Sequence, residues 1–152
     1  MSPGKIRAKT LVELTIVIRH MLEGIGSLPL GSQEEFLQDP RMVAAGESFL
    51  RRALEALMDL GRHVLAKGFG IVAAEYAAIA DELQRAGVLS HELATSLRNM
   101  ARYRNRIVHF YDEVTPGELY DILTQHLGDF DLVLKAIKEW ATHHPEQFDE
   151  TL

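Results

Sequence analysis

The sequence predicts an all-α protein, an up-and-down helical bundle of four principal helices with shorter ones between them. Three observations carry that expectation. Apolar residues recur at three-to-four spacing over nearly the whole chain, the period of a helix with one buried face. No segment shows the alternation of a half-buried strand. Glycine, proline and small polar residues interrupt the helical pattern only briefly, so the connections are short.

In the first helix Ile6, Leu11, Leu14, Ile18, Met21, Leu22 and Ile25 form the apolar stripe. Ser2 and Pro3 suit its start, and Gly24 and Gly26 its end. Ser32 and Glu35 have capping-box spacing ahead of a short helix that ends near Asp39-Pro40. The longest pattern runs from Met42 to Lys67 through Val43, Phe49, Leu50, Leu54, Leu57, Leu60 and Val64. Small residues interleaved there, among them Ala44, Gly46, Ala53 and Ala56, permit close helix approach, and Gly68-Phe69-Gly70 breaks the pattern. Ala73 to Gln84 reads as a further helix closed by Gly87. Ser90 is the N-cap of a helix that runs through Ala94, Leu97 and Met100 towards a group of arginines. Thr115 is a cap followed by Pro116 at the first helical position, with Glu118 adding a favourable charge to that turn. One final helix uses Leu119, Ile122, Leu123, Leu127, Phe130, Val133, Leu134, Ile137 and Trp140 and stops before Pro145. The acidic tail beyond it reads as loose. The aliphatic content leaves a helix face over for dimerisation, and Tyr76, Tyr120 and Trp140 read as core or interface aromatics.

With 152 residues the chain is long enough to bury a core without staples. Apolar residues make up 47% and charged residues 25%, which argues against disorder. Apolar stretches such as Leu14 to Ile18 are far short of the ~20 residues a bilayer-crossing helix needs. The first residues lack the apolar centre of a signal peptide, so the chain reads as cytoplasmic. With no cysteine, disulfides, thiolate metal sites and thiol catalysis are excluded. His126, His143 and His144 contain no i, i+4 pair, and no metal site or cofactor is expected. His20 and His63 are read as lying near helix ends and bonding terminal carbonyls, and His91 as exposed. No phosphate-binding or nucleophile-elbow motif occurs. Asp129 and Asp131 have transferase-like spacing, but they lack a preceding Gly-Ser element and fall in a helical pattern.

The net charge of −6 argues against a protein that coats nucleic acid. Its distribution is uneven. From Leu93 to Tyr111 there are four arginines, Arg98, Arg102, Arg104 and Arg106, and no acid, whereas the chain from Phe110 onward carries a net −8. At about 100° per residue, Arg98, Arg102, Asn105 and His109 fall on one helical stripe. Arg104 lies about 140° from His109 on that ideal geometry. A helix distorted at this point, a reaching side chain or a second subunit would each bring the two together. Arginine grips phosphate oxygens through a fixed fork of donors, and histidine passes protons near neutrality. The combination suits metal-free cleavage of RNA: the imidazole handles the protons, the guanidinium stabilises the crowded phosphorane, and Tyr111 stacks a base or holds the phosphate.

Arg104-Asn105-x-x-x-His109-x-Tyr111 resembles the R-x4-H-x-Y motif of HEPN-domain proteins, specifically the HepT-like toxins of HEPN/MNT toxin–antitoxin pairs. The order of segments is similar too: EEFLQDPR after the first helix, a long second helix, EYAAIADELQRAGVLS leading into LRNMARYRNRIVHFYDEV, and a last helix near ELYDIL. The resemblance spans Leu11 to Trp140 and implies a single HEPN-like domain with its core over residues 5–142 and an acidic tail over 143–152. It implies a homodimer with the motif helices flanking a cleft, and a metal-independent endoribonuclease in which Arg104 and His109 match the catalytic pair. Tyr111 matches the tyrosine that the partner antitoxin, a minimal nucleotidyltransferase, modifies with AMP. Arg98, Arg102, Asn105 and Arg106 are assigned supporting contacts to RNA, with Arg102 the alternative catalytic arginine. Two other readings stand beside this one: a non-catalytic module that serves the nucleotidyltransferase as partner or substrate, and a purely structural dimerising bundle.

Overall fold

A computed structural model describes residues 4–109 and 113–150. Among them the chain forms seven α-helices: α1 (Ala8–Gly26), α2 (Gln33–Gln38), α3 (Pro40–Phe69), α4 (Tyr76–Arg85), α5 (His91–Val108), α6 (Pro116–Gln125) and α7 (Gly128–His143). The all-α expectation holds. α1, α3, α5 and α7 are the long members, and α2, α4 and α6 the short ones.

The 30-residue α3 is the axis of the bundle and touches α1, α2, α4, α5 and α6. It is buried on more than one face, through Leu50, Leu54, Leu57, Met58, Leu60, Val64 and Leu65. Burying one such side chain contributes roughly 1.5–3 kcal/mol, so this helix dominates the hydrophobic stabilisation. Close approach of α4 depends on Gly61, where a Cβ would lie 2.8 Å from Ile79 Cγ2. Asp39 caps α3 by accepting from the Arg41 N–H at 3.0 Å, and Pro40 stands at its first position. Gly70 ends it in the left-handed region at φ 67°, its N–H donating to the Ala66 carbonyl, a conformation that favours glycine. Ser32, Ser90 and Thr115 cap α2, α5 and α6 as their positions predict, accepting from the N–H groups of Glu35, Leu93 and Glu118.

The structure corrects four local readings. α1 starts at Ala8, because Ile6 pairs with Phe148 in a parallel β-bridge and the Ala8 N–H donates to Asp149 Oδ1 at 3.0 Å. Those contacts also overturn the loose tail: the Ile6 N–H donates to Gln147 O, and the buried Phe148 ring packs 6.0 Å from that of Trp140. α4 starts at Tyr76, not Ala73, because the Ala73 and Ala74 carbonyls accept from the Arg62 side chain. The last pattern is two helices, broken at His126-Leu127, where the helical hydrogen-bonding of α6 gives way before α7 begins. Val12, Ile16 and Leu132 stay about half exposed, the first two on α1 and the third on α7. Among the described residues no helix is long and apolar enough to cross a membrane.

Candidate functional site

α5 carries the basic segment, and its arginines diverge. Arg98 reaches α4, its Nε donating to Asp81 Oδ1 at 3.1 Å. Arg102 is exposed and sits 3.4 Å from Asn99 Oδ1. Arg104 reaches α3, its Nη2 donating to Glu55 Oε2 at 2.9 Å. Arg106 reaches α6 and grips both carboxylate oxygens of Glu118, its Nη2 donating to Oε1 at 2.9 Å. The single stripe drawn from ideal helical geometry therefore does not act as one surface.

The helix ends at Val108. His109 leaves it at φ −96° and ψ 99°, with its N–H still donating to the Asn105 carbonyl. That departure removes the angular objection: Arg104, Asn105 and His109 line one surface cleft of about 450 Å³, together with Arg62 on α3 and Ala74, Glu75, Tyr76 and Ala77. Arg98, Arg102 and Arg106 are not among its lining residues. Tyr111 lies outside the described residues. The pair is not shut away from solvent, since His109 is exposed and the Arg104 side chain keeps 24% of its surface.

Arg104 is held on several sides. Glu55 takes Nη2, Asn105 Oδ1 accepts from Nη1 at 3.3 Å, and the guanidinium carbon stands 4.7 Å from the centre of the Tyr76 ring. Its Nε is buried and, among the described residues, has no hydrogen-bond partner. Glu55 also accepts from Arg51 Nη1 at 2.6 Å. Burial pushes the Glu55 carboxyl up, but the bonds from Arg104 and Arg51 outweigh it and hold the group below its ordinary range. One turn further along, burial raises the Asp59 carboxyl, against the opposing pull of Arg62. Glu118 is lowered by its bond from Arg106.

The place of two of these residues in the cleft escaped the sequence reading. Tyr76 packs partly buried against the core, as its reading expects, and is also a wall of the cleft with cations at its ring, which the reading did not foresee. Arg62 was passed over, although Glu55, Asp59 and Arg62 fall at i, i+4 and i+7 on one polar stripe of α3, and that stripe was a legible signal. One histidine also differs from expectation. His63 does not bond a terminal carbonyl: its Nε2 accepts from the Arg7 N–H at 3.0 Å. His143 and His144 bond the Glu139 and Trp140 carbonyls through Nδ1.

Comparison with known proteins shows the family of the chain. A curated relative, the tRNA nuclease HepT of Aphanizomenon flos-aquae, is 25% identical over 119 residues, covering 78% of this chain and 80% of that protein. An AMPylated HEPN toxin of Shewanella oneidensis, solved in complex with an MNT antitoxin, superposes with a TM-score of 0.78 at 22% identity, covering 86% of this chain and 97% of that one. The cytosolic protein YutE of Bacillus subtilis, of unknown function, superposes at 0.76 with 18% identity over 97% of this chain and 98% of its own. The family model described as ribonuclease HepT-like matches residues 18–137, most of the chain and the whole of the cleft, and the chain belongs to that family.

Proposed function

We propose that the chain is a metal-independent endoribonuclease toxin of a toxin–antitoxin pair, acting in the cytoplasm on RNA. The observation that carries this reading is the convergence of Arg104 and His109 on one solvent-open cleft. In the reaction the ribose 2′-oxygen attacks the adjacent phosphorus and the 5′-oxygen of the next nucleotide leaves. One strand end becomes a 2′,3′-cyclic phosphate and the other a 5′-hydroxyl. His109 relays the proton lost by the 2′-hydroxyl to the leaving oxygen, shared between the imidazoles of two protomers in a homodimer. Arg104 stabilises the phosphorane by donors aimed at its equatorial oxygens. Asn105, beside Arg104, keeps its guanidinium turned towards the cleft.

The relative named as a tRNA nuclease supports tRNA as the substrate class. The neighbour solved with its MNT antitoxin supports a nucleotidyltransferase partner, and its AMPylated state supports Tyr111 as the acceptor here. An AMP group on Tyr111, two residues along the chain from His109, would add bulk and negative charge that oppose an anionic strand.

The test is direct. The purified protein, incubated with tRNA in EDTA, is expected to yield 2′,3′-cyclic ends, and His109→Ala and Arg104→Ala each to abolish them while the oligomeric state persists. Cleavage that required added metal would remove the mechanism. Absence of cleavage, combined with AMP transfer to the wild-type chain but not to Tyr111→Phe, would leave the non-catalytic partner reading instead.

A further inference from the structure

We propose that Arg62 is a second phosphate-gripping residue of the cleft, held beside Arg104 by the Tyr76 ring and taking a phosphate next to the one that reacts. The inference rests on the reading of the cleft as an RNA site and extends it to a residue on a different helix. Arg62 and Arg104 both approach the Tyr76 ring, their guanidinium carbons 5.0 and 4.7 Å from its centre. Like charges from α3 and α5 are thus brought within one aromatic ring's reach of each other, an arrangement that the ring's negative face tolerates and a bound anion would favour.

A guanidinium has five N–H groups. Arg62 spends two on structure, Nε donating to Ala73 O at 3.1 Å and Nη2 to Ala74 O at 3.2 Å. Asp59 pairs with Nη1 at 3.6 Å, an ion pair longer than a hydrogen bond. Among the described residues, three N–H groups therefore have no hydrogen-bond acceptor and are open to a ligand, on a side chain that keeps 39% of its surface and lines the cleft with His109. The two carbonyl bonds fix the plane of the fork and the start of α4, so little ordering is lost when an oxyanion arrives. A residue needed only as a strap between α3 and the segment before α4 would gain nothing from facing the cleft with its remaining donors.

The experiment measures binding rather than cleavage, so that it does not depend on turnover. A fluorescent single-stranded RNA oligomer is titrated with His109→Ala protein over a range of salt concentrations, and the same is done with Arg62→Gln and Arg62→Lys in that background. Each phosphate contact contributes about −0.7 to the slope of log affinity against log salt for a single strand. Arg62→Gln is expected to bind about tenfold more weakly near 0.1 M salt, as the loss of a charge-assisted contact implies, and to flatten the slope by about 0.7. Arg62→Lys, which keeps the charge but not the carbonyl bonds, is expected to keep the parent's slope. A merely structural Arg62 would weaken binding equally at every salt concentration in both variants. An unchanged slope for Arg62→Gln with RNA still bound overturns this inference alone. A parent protein that binds no RNA overturns it together with the nuclease reading.

Discussion

Replacing Glu55 by glutamine separates what holds Arg104 from what Arg104 does. The carboxylate bonds two cations, Arg104 Nη2 at 2.9 Å and Arg51 Nη1 at 2.6 Å, and a quarter of its side chain is exposed. A hydrogen bond to a charged partner is worth about 1.5–3 kcal/mol, and partial exposure cuts that towards the value of surface pairs. Glutamine keeps one carbonyl oxygen but turns an amide donor towards one of the guanidinium groups. The expected stability loss is about 1–2 kcal/mol, read as a fall of roughly 2–8 °C in melting temperature for a domain of this size. For the proposed nuclease the kinetic consequence is larger. An arginine loosened by about 1 Å costs on the order of a hundredfold in the chemical step. The same substitution removes a negative charge from beside the cleft, so substrate binding is not weakened. Single-turnover cleavage of tRNA by Glu55→Gln is therefore expected to show kcat down ten- to a hundredfold with KM unchanged or lower. A fall in melting temperature with kcat intact would refute the reasoning, because Glu55 would then stabilise the bundle without orienting the guanidinium.

Two further outcomes test the fold around the site. Phe148→Ala empties a buried position against Trp140 and the Ile6 bridge and is expected to cost about 3 kcal/mol in urea denaturation; a loss under about 1 kcal/mol would mean that the tail is not docked. Burial holds His63 below its ordinary value of 6.5, aided by Lys67 and Arg7 and opposed by Asp149, and its neutral Nε2 accepts from the Arg7 N–H. A depressed histidine favours folding above its unfolded value and loses that contribution as pH falls through the folded one. The Arg7 amide resonance is thus expected to titrate with a midpoint below 6.5, and a midpoint above it would reverse the assignment.

The helices were legible from their three-to-four apolar period, and three of them from a cap as well: Ser32, Ser90 and Thr115 all accept from the N–H their spacing designates. Two of the misread boundaries depend on a partner elsewhere in the chain, and the third on a break that the apolar period does not register. Ile6 extends the apolar stripe of α1 perfectly well, yet pairs with Phe148 at the other end of the chain. Ala73 and Ala74 are good helix formers whose carbonyls are taken by Arg62. Leu127 keeps the period across the α6–α7 junction, and period alone cannot register a break that preserves the buried face. In the cleft, Arg104 and His109 were visible as residue types at a telling spacing, whereas Tyr76 and Arg62 reach it only through the packing of α3 on α4.

That packing also changes what the basic segment means. Arg98, Arg104 and Arg106 leave α5 in different directions and meet Asp81 on α4, Glu55 on α3 and Glu118 on α6. Individually such partly exposed pairs contribute little, but together they fix the rotation and height of α5 against three neighbours, and with them the point at which His109 leaves the helix. The acidic excess of the chain supplies these counter-charges, so acidity and an anion-handling site are compatible here. In the proposed reaction an arginine already balanced by Glu55 would bind a substrate phosphate weakly. As charge built on the phosphorane the guanidinium would gain more from the substrate than in the ground state, and only interactions that strengthen in this way accelerate a chemical step. Glu55→Gln is the perturbation that exposes this balance: removing the counter-charge should improve binding of the resting substrate while removing the orientation that stabilises the transition state.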